Sequence, residues 1–202
     1  MAQRGAVVGV AEHGNSAELV TVAAGQLLDR RRIDLTRDLP THPYHHEGSW
    51  AVGRYRDSPW ARDITLAEAI ELVKTVQAAA AQGAEDSLTI LAEAVAPPIG
   101  AITLRSCPVL PPTIEACIAD NRAQSVADTV MYRQALAGAA EARGWTVVWY
   151  DRNEVVEAAE AALDTGDLKT TLAAMGRQAG PPWQARHKLA ATAALAAAAA
   201  LA

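Results

Sequence analysis

The run Ala6-Val7-Val8-Gly9-Val10, followed by the polar stretch Glu12-His13-Gly14-Asn15-Ser16, decides how the rest of the chain is read. A short, Val-rich apolar run that ends in a Gly-Asn turn signal predicts a buried strand. A second apolar run covers 19–23 and meets Gly25, and a third covers 27–35 with Arg30, Arg31 and Arg32 inside it. Connections this short join antiparallel neighbours, so the first part of the chain predicts a three-stranded meander.

Beyond the meander the pattern changes. Residues 37–63 are punctuated by Pro40, Pro43, Gly48, Gly53 and Pro59, with His42, His45, His46, Trp50 and Trp60 between them. A long irregular insertion is expected there, and such loops in compact domains are often functional. Thr65-Leu66-Ala67-Glu68 has the form of a capping box, and Leu66, Ile70, Val73 and Val76 recur at helical spacing. Gly83 is expected to interrupt that helix, with a second piece over 88–95 ended by Pro97-Pro98. Residues 99–104 read as a buried strand, and Pro108, Pro111 and Pro112 forbid a regular element just after it. A helix follows over 125–143, closed by Gly144, and then a strand over 145–150. Helices are expected over 154–163, 168–175 and from 184 to the end.

Right-handed crossovers place the fourth and fifth strands parallel to the first. The expectation is therefore an α/β fold with a five-stranded mixed sheet in the order 3-2-1-4-5 and helices on both faces. Half of the 202 residues are hydrophobic, a composition and length that suit one domain over 1–202. The formal net charge of −5 excludes an overall basic nucleic-acid footprint but permits a local basic groove. Cys107 and Cys117 have no C-x-x-C spacing and predict reduced thiols in a cytoplasmic protein. The opening apolar run is too short for a signal sequence. The Ala-rich end over 188–202 falls short of the ~20 apolar residues a membrane span needs, so it predicts a buried, close-packed helix.

Val7-Val8-Gly9-Val10 with its polar turn, the 125–143 helix with Gly144-Trp145-Thr146-Val147-Val148 after it, and a last helix containing His187 together resemble the ribonuclease H-like superfamily. Within it, the chain resembles the Holliday-junction resolvase branch. The resemblance covers nearly the whole chain by element order. It implies acidic residues from the first strand, the fourth strand and the last helix, holding two metal ions that activate water and stabilise the leaving oxygen. This chain departs from that pattern. Ala11-Glu12 stands where the first Asp is expected, Thr103-Leu104-Arg105-Ser106 puts a cation at the end of the fourth strand, and no acid follows His187.

Several residues are candidates for chemistry. Glu12 and His13 follow the first strand, and ligands collect at the carboxyl ends of parallel strands. Arg105 suits a phosphate or a carboxylate, with a pairing to Asp120 or Asp128 as the plainer alternative. Asp120, Arg122 and Asp128 lie around the start of the 125–143 helix, and a free helix N-terminus accepts an anion. His42, His45, His46 and Glu47 form a cluster of metal-ligand types without a standard zinc spacing. His187 lies in a basic first turn between Arg186 and Lys188.

Two functions follow from these residues. In the first, the chain is a metal-dependent nuclease acting on nucleic acid. Glu12 and Asp128 hold Mg²⁺ or Mn²⁺, His13 or His187 moves protons, and Arg105, Asp120 and Arg122 contact substrate. In the second, the ribonuclease H-like domain is catalytically degenerate and binds a ligand or a protein, with Trp50 and Trp60 as a contact patch. A homo-oligomer packed through the Ala-rich last helix is compatible with either, and a membrane is a partner in neither. P-loop, dinucleotide-binding, zincin and nucleophile-elbow signatures are absent from the sequence.

Overall fold

The computed structural model describes residues 5–45, 64–163 and 167–201. Strands β1 (Ala6–His13), β2 (Ser16–Ala23) and β3 (Gln26–Asp34) form the meander. Helix α1 (Leu66–Ala94) leads to β4 (Ile99–Arg105). A short α2 (Ile114–Ala119) and a long α3 (Asn121–Glu141) lead to β5 (Thr146–Tyr150). Helices α4 (Val155–Ala162), α5 (Leu168–Ala179) and α6 (Ala185–Ala200) follow. The sheet order is β3-β2-β1-β4-β5, with β1 antiparallel to β2 and parallel to β4, as the sequence predicts.

The period of two along β1 divides the core. Ala6, Val8 and Val10 face a cluster filled by α1 and α3, while Val7 and Ala11 face one filled by α6 and α5. Gly9 lies on the second face, and there α6 rests directly on the strand. A Cβ on Gly9 would lie far closer to the Ala190 carbonyl oxygen than van der Waals contact allows. The Ala-rich composition of α6 is thus what lets helix backbone approach strand backbone, and Ala190, Ala191, Ala193 and Ala194 are all buried there.

The structure corrects four expectations. Strand β1 does not stop at Val10 but carries Glu12 and His13 inside it, paired with Ala17 and Ser16. The turn shrinks to Gly14-Asn15, with the positive φ of 56° at Gly14. Gly83 does not interrupt α1. A Cβ there would meet the Leu35 carbonyl, so this glycine marks close approach between helix and chain. After the prolines, Thr113 caps α2 by accepting from the Ala116 N–H at 3.1 Å. Finally, α3 begins four residues before 125 because the Asp120 carboxylate accepts from the Arg122 and Ala123 N–H groups at 2.7 and 2.8 Å. Residues 46–63, with His46, Glu47, Trp50 and Trp60, lie outside the described residues. No helix among the described residues is long and apolar enough to cross a membrane.

Two glycines make opposite tests. Gly9→Val is expected to lower the unfolding free energy by about 3 kcal/mol through overpacking against α6. Gly138→Ala, exposed on α3 with open space at its Cβ, is expected to raise it by up to about 1 kcal/mol. Urea unfolding midpoints at constant slope read both.

Candidate anion-binding cleft

The carboxyl ends of β1, β4 and β5 open into a cleft of about 790 Å³. Strand β1 contributes Glu12 and His13, β4 contributes Arg105 with Ser106 just beyond, and β5 is followed by Asp151 and Arg152. Helix α3 forms a wall with Val126, Val130 and Arg133, and Arg186 of α6 reaches the rim. A parallel sheet places its open crevice at this end, which is why residues from distant parts of the sequence converge.

Glu12 points to the α3 face, by the same parity as Val8 and Val10. There it meets Arg133, whose Nε donates to Glu12 Oε1 at 2.7 Å and whose Nη2 donates to the same oxygen. Arg133 Nη1 donates to the Ser106 carbonyl at 2.9 Å. Both side chains of the pair are only 6% exposed. The Tyr150 hydroxyl donates to the Val10 carbonyl at 3.0 Å. Burial, then the Glu12 charge, pushes its phenol up to about 12, so it stays a neutral donor and not a base. Sequence reasoning does not single out Arg133. Its one signal is an Arg on the helical stripe of Val126, Val130 and Ala137, where a cation needs a buried partner.

The other candidates are placed as follows. His13 is exposed at the cleft, and Arg105 is half-buried in it. Asp120 caps α3, and Arg122 is exposed in the first turn. Asp128 is not in the first turn and does not line the cleft. Its buried carboxylate accepts from the Tyr44 N–H at 2.9 Å and faces His42 Nδ1 at 3.6 Å. The same loop is held by Tyr132, whose hydroxyl donates to the Thr41 carbonyl at 3.0 Å, and by Gln77, which donates to the Tyr44 hydroxyl at 3.0 Å. Burial pushes both phenols up to about 12. His45 is half-buried in that loop.

His187 is buried and is absent from the cleft lining. Its Nδ1 accepts from the Gln184 N–H at 3.0 Å, capping α6, and its Nε2 lies 3.1 Å from Glu18 of β2. Trp183 stacks on its ring. Both nitrogens are thus committed, Nδ1 to capping α6 and Nε2 to fixing it on the sheet.

A divalent cation does not fit this donor set. Glu12 and Asp128 serve different neighbours, Arg133 holds Glu12 Oε1 through two donors, and no three His, Cys, Asp or Glu side chains converge among the described residues. The cleft instead carries four arginines, Arg105, Arg133, Arg152 and Arg186, against the acids Glu12 and Asp151. Cations that line a concave surface attract an anion.

No family model matches the chain, and no curated protein matches it. Solved structures are similar to the chain, two RuvC structures among them. The structure described as Thermus thermophilus RuvC in complex with Holliday junction substrate has a TM-score of 0.51 and 14% identity. That match covers 95% of this chain and 91% of that chain. A second Thermus thermophilus RuvC structure has a TM-score of 0.48 and 16% identity, covering 95% of this chain and 92% of that one.

The His42–Asp128 pair gives a signed pH dependence. The Asp128 carboxylate 3.6 Å away raises the His42 pKa above 6.5. The stability this contributes is fully present below pH 6.5, and it is lost as pH rises through the raised folded-state value. His42→Gln is expected to flatten the melting temperature against pH in that window, and a variant curve parallel to the parent curve would refute the pairing. The mixed sheet, the topology around it and the likeness of fold together give the chain a ribonuclease H-like fold.

Proposed function

We propose that this chain is a catalytically degenerate ribonuclease H-like domain that binds nucleic acid through backbone phosphates in the cleft at the ends of β1, β4 and β5. The observation that carries this reading is the excess of arginine in the cleft, with its strand-end carboxylate already taken by Arg133. Arg105 suits a phosphate oxygen because its planar fork offers paired donors, and Arg152 and Arg186 flank it on separate elements. Tyr150 is the one Phe, Tyr or Trp among the cleft-lining residues and is buried, which leaves the His13 imidazole as the exposed ring of the cleft among the described residues. Contacts to phosphate without base readout give binding with little sequence preference. The fold neighbour's structure holds a Holliday junction, which makes branched DNA the first probe for this cleft.

A metal-dependent nuclease is the second reading, favoured by the position of Glu12 at the end of the central strand. In it Mg²⁺ or Mn²⁺ is the cofactor. Incubating labelled branched, duplex and single-stranded DNA with Mn²⁺ separates the two: cleavage that disappears in Glu12→Gln selects the nuclease.

Binding itself is read by fluorescence anisotropy of a labelled four-way junction at several salt concentrations. Replacing Arg105, Arg152 and Arg186 by Ala is expected to weaken binding at least about tenfold. The slope of log affinity on log salt should become shallower by about 0.9 for each phosphate that the variant no longer neutralises. Equal affinity and slope in parent and variant would exclude the cleft as the binding site.

A further inference from the structure

We infer that Arg133 is the resident cation of the cleft, standing where a ribonuclease H-like site would need a divalent ion, so that phosphate binding there is metal-independent. The inference rests on the reading of the cleft as a phosphate site. It also specifies how that site is charged.

Three features support the substitution. First, the guanidinium performs the bridging that a strand-end metal would perform. It joins the Glu12 carboxylate of β1 to the Ser106 carbonyl beyond β4, through Nε and Nη2 on one side and Nη1 on the other. Second, the pair is sealed. With each side chain 6% exposed and Arg133 on Glu12 Oε1, an ion that reached this carboxylate would place a second cation beside a buried guanidinium. Third, the residue at the end of β4 is Arg105, so the neighbouring position also rejects a cation.

The chemistry that follows differs from that of a metal. A guanidinium has no open coordination position and cannot bind water or lower its pKa as a metal does. It supplies a fixed positive charge that needs no loading, so a chelator has nothing to remove. Glu12 is then a counter-charge that sets the Arg133 fork. Arg105, Arg152 and Arg186 supply the charge left for ligand.

The test has two independent arms on the full chain. In the first, MnCl₂ alone is titrated by calorimetry into the parent and into Glu12→Gln, which keeps an acceptor oxygen for Arg133. The expected result is the same heat in both. A binding event present in the parent and absent from the variant would overturn the inference. In the second, junction binding is measured by anisotropy in excess EDTA and in Mn²⁺, and no change is expected. Binding that requires Mn²⁺ would overturn it. Should Glu12→Gln fail to fold, the parent in EDTA against Mn²⁺ still decides the matter. If no DNA form binds under any condition, the phosphate reading fails, while the calorimetry continues to decide the role of Arg133.

Discussion

A carboxylate buried at the end of a central parallel strand needs a partner. Left alone it would be neutralised or would destabilise the fold by several kcal/mol. In this protein the partner is Arg133, and the arrangement of the cleft depends on that choice. Its guanidinium docks α3 against β1 and against the turn after β4 with a single side chain. Ser106 then bonds the Tyr150 carbonyl through both its N–H and its hydroxyl, at 2.9 and 3.0 Å, and Tyr150 bonds back to Val10. The ends of β1, β4 and β5 are thereby tied together by one polar chain. Removing Glu12 or Arg133 leaves the other unsatisfied where the side chains are only 6% exposed.

How the charge is distributed explains why composition misleads here. The net charge is −5, yet the cleft is rich in arginine. The acids are displaced onto outer helical faces: Glu68, Glu71, Glu85, Asp86 and Glu93 are exposed on α1, and Glu154, Glu157 and Glu160 are exposed at α4. Solvent and salt screen those charges over about 10 Å, while charges within a concave site are screened less. A ligand at the ends of the strands therefore meets the local field and not the average.

The fold is legible in sequence wherever a period is long enough to be unambiguous. The strand order follows from three short runs, two crossovers and the handedness rule, and residue-level detail does not interfere. What is not legible has a common physical origin, namely tertiary contact. Gly83 reads as a break because its cost is local, but its purpose is clearance from the Leu35 backbone. Asp128 reads as a first-turn acid, yet Asp120 provides the cap and Asp128 holds Tyr44, 84 residues away in sequence. His187 reads as a free histidine in a basic turn, and its partners, Glu18 and the Gln184 N–H, become apparent only once α6 lies on β2. Arg133 escapes a sequence reading because a buried cation is recognised by its partner, and Glu12 is 121 positions away.

These placements set the charge of the cleft against what the resemblance implies. The ribonuclease H-like resemblance expects acids at three places: the end of the first strand, the end of the fourth, and the last helix. Loss of a single acid by drift would leave the remaining carboxylates facing one another without a cation, a repulsive arrangement. The structure has instead a compensated carboxylate at Glu12, a cation at Arg105, and Arg186 as the charged residue that α6 presents to the cleft. All three places differ from that expectation in the same electrostatic direction. Each of these placements lowers the energy of an anion in the cleft and raises that of a bound cation.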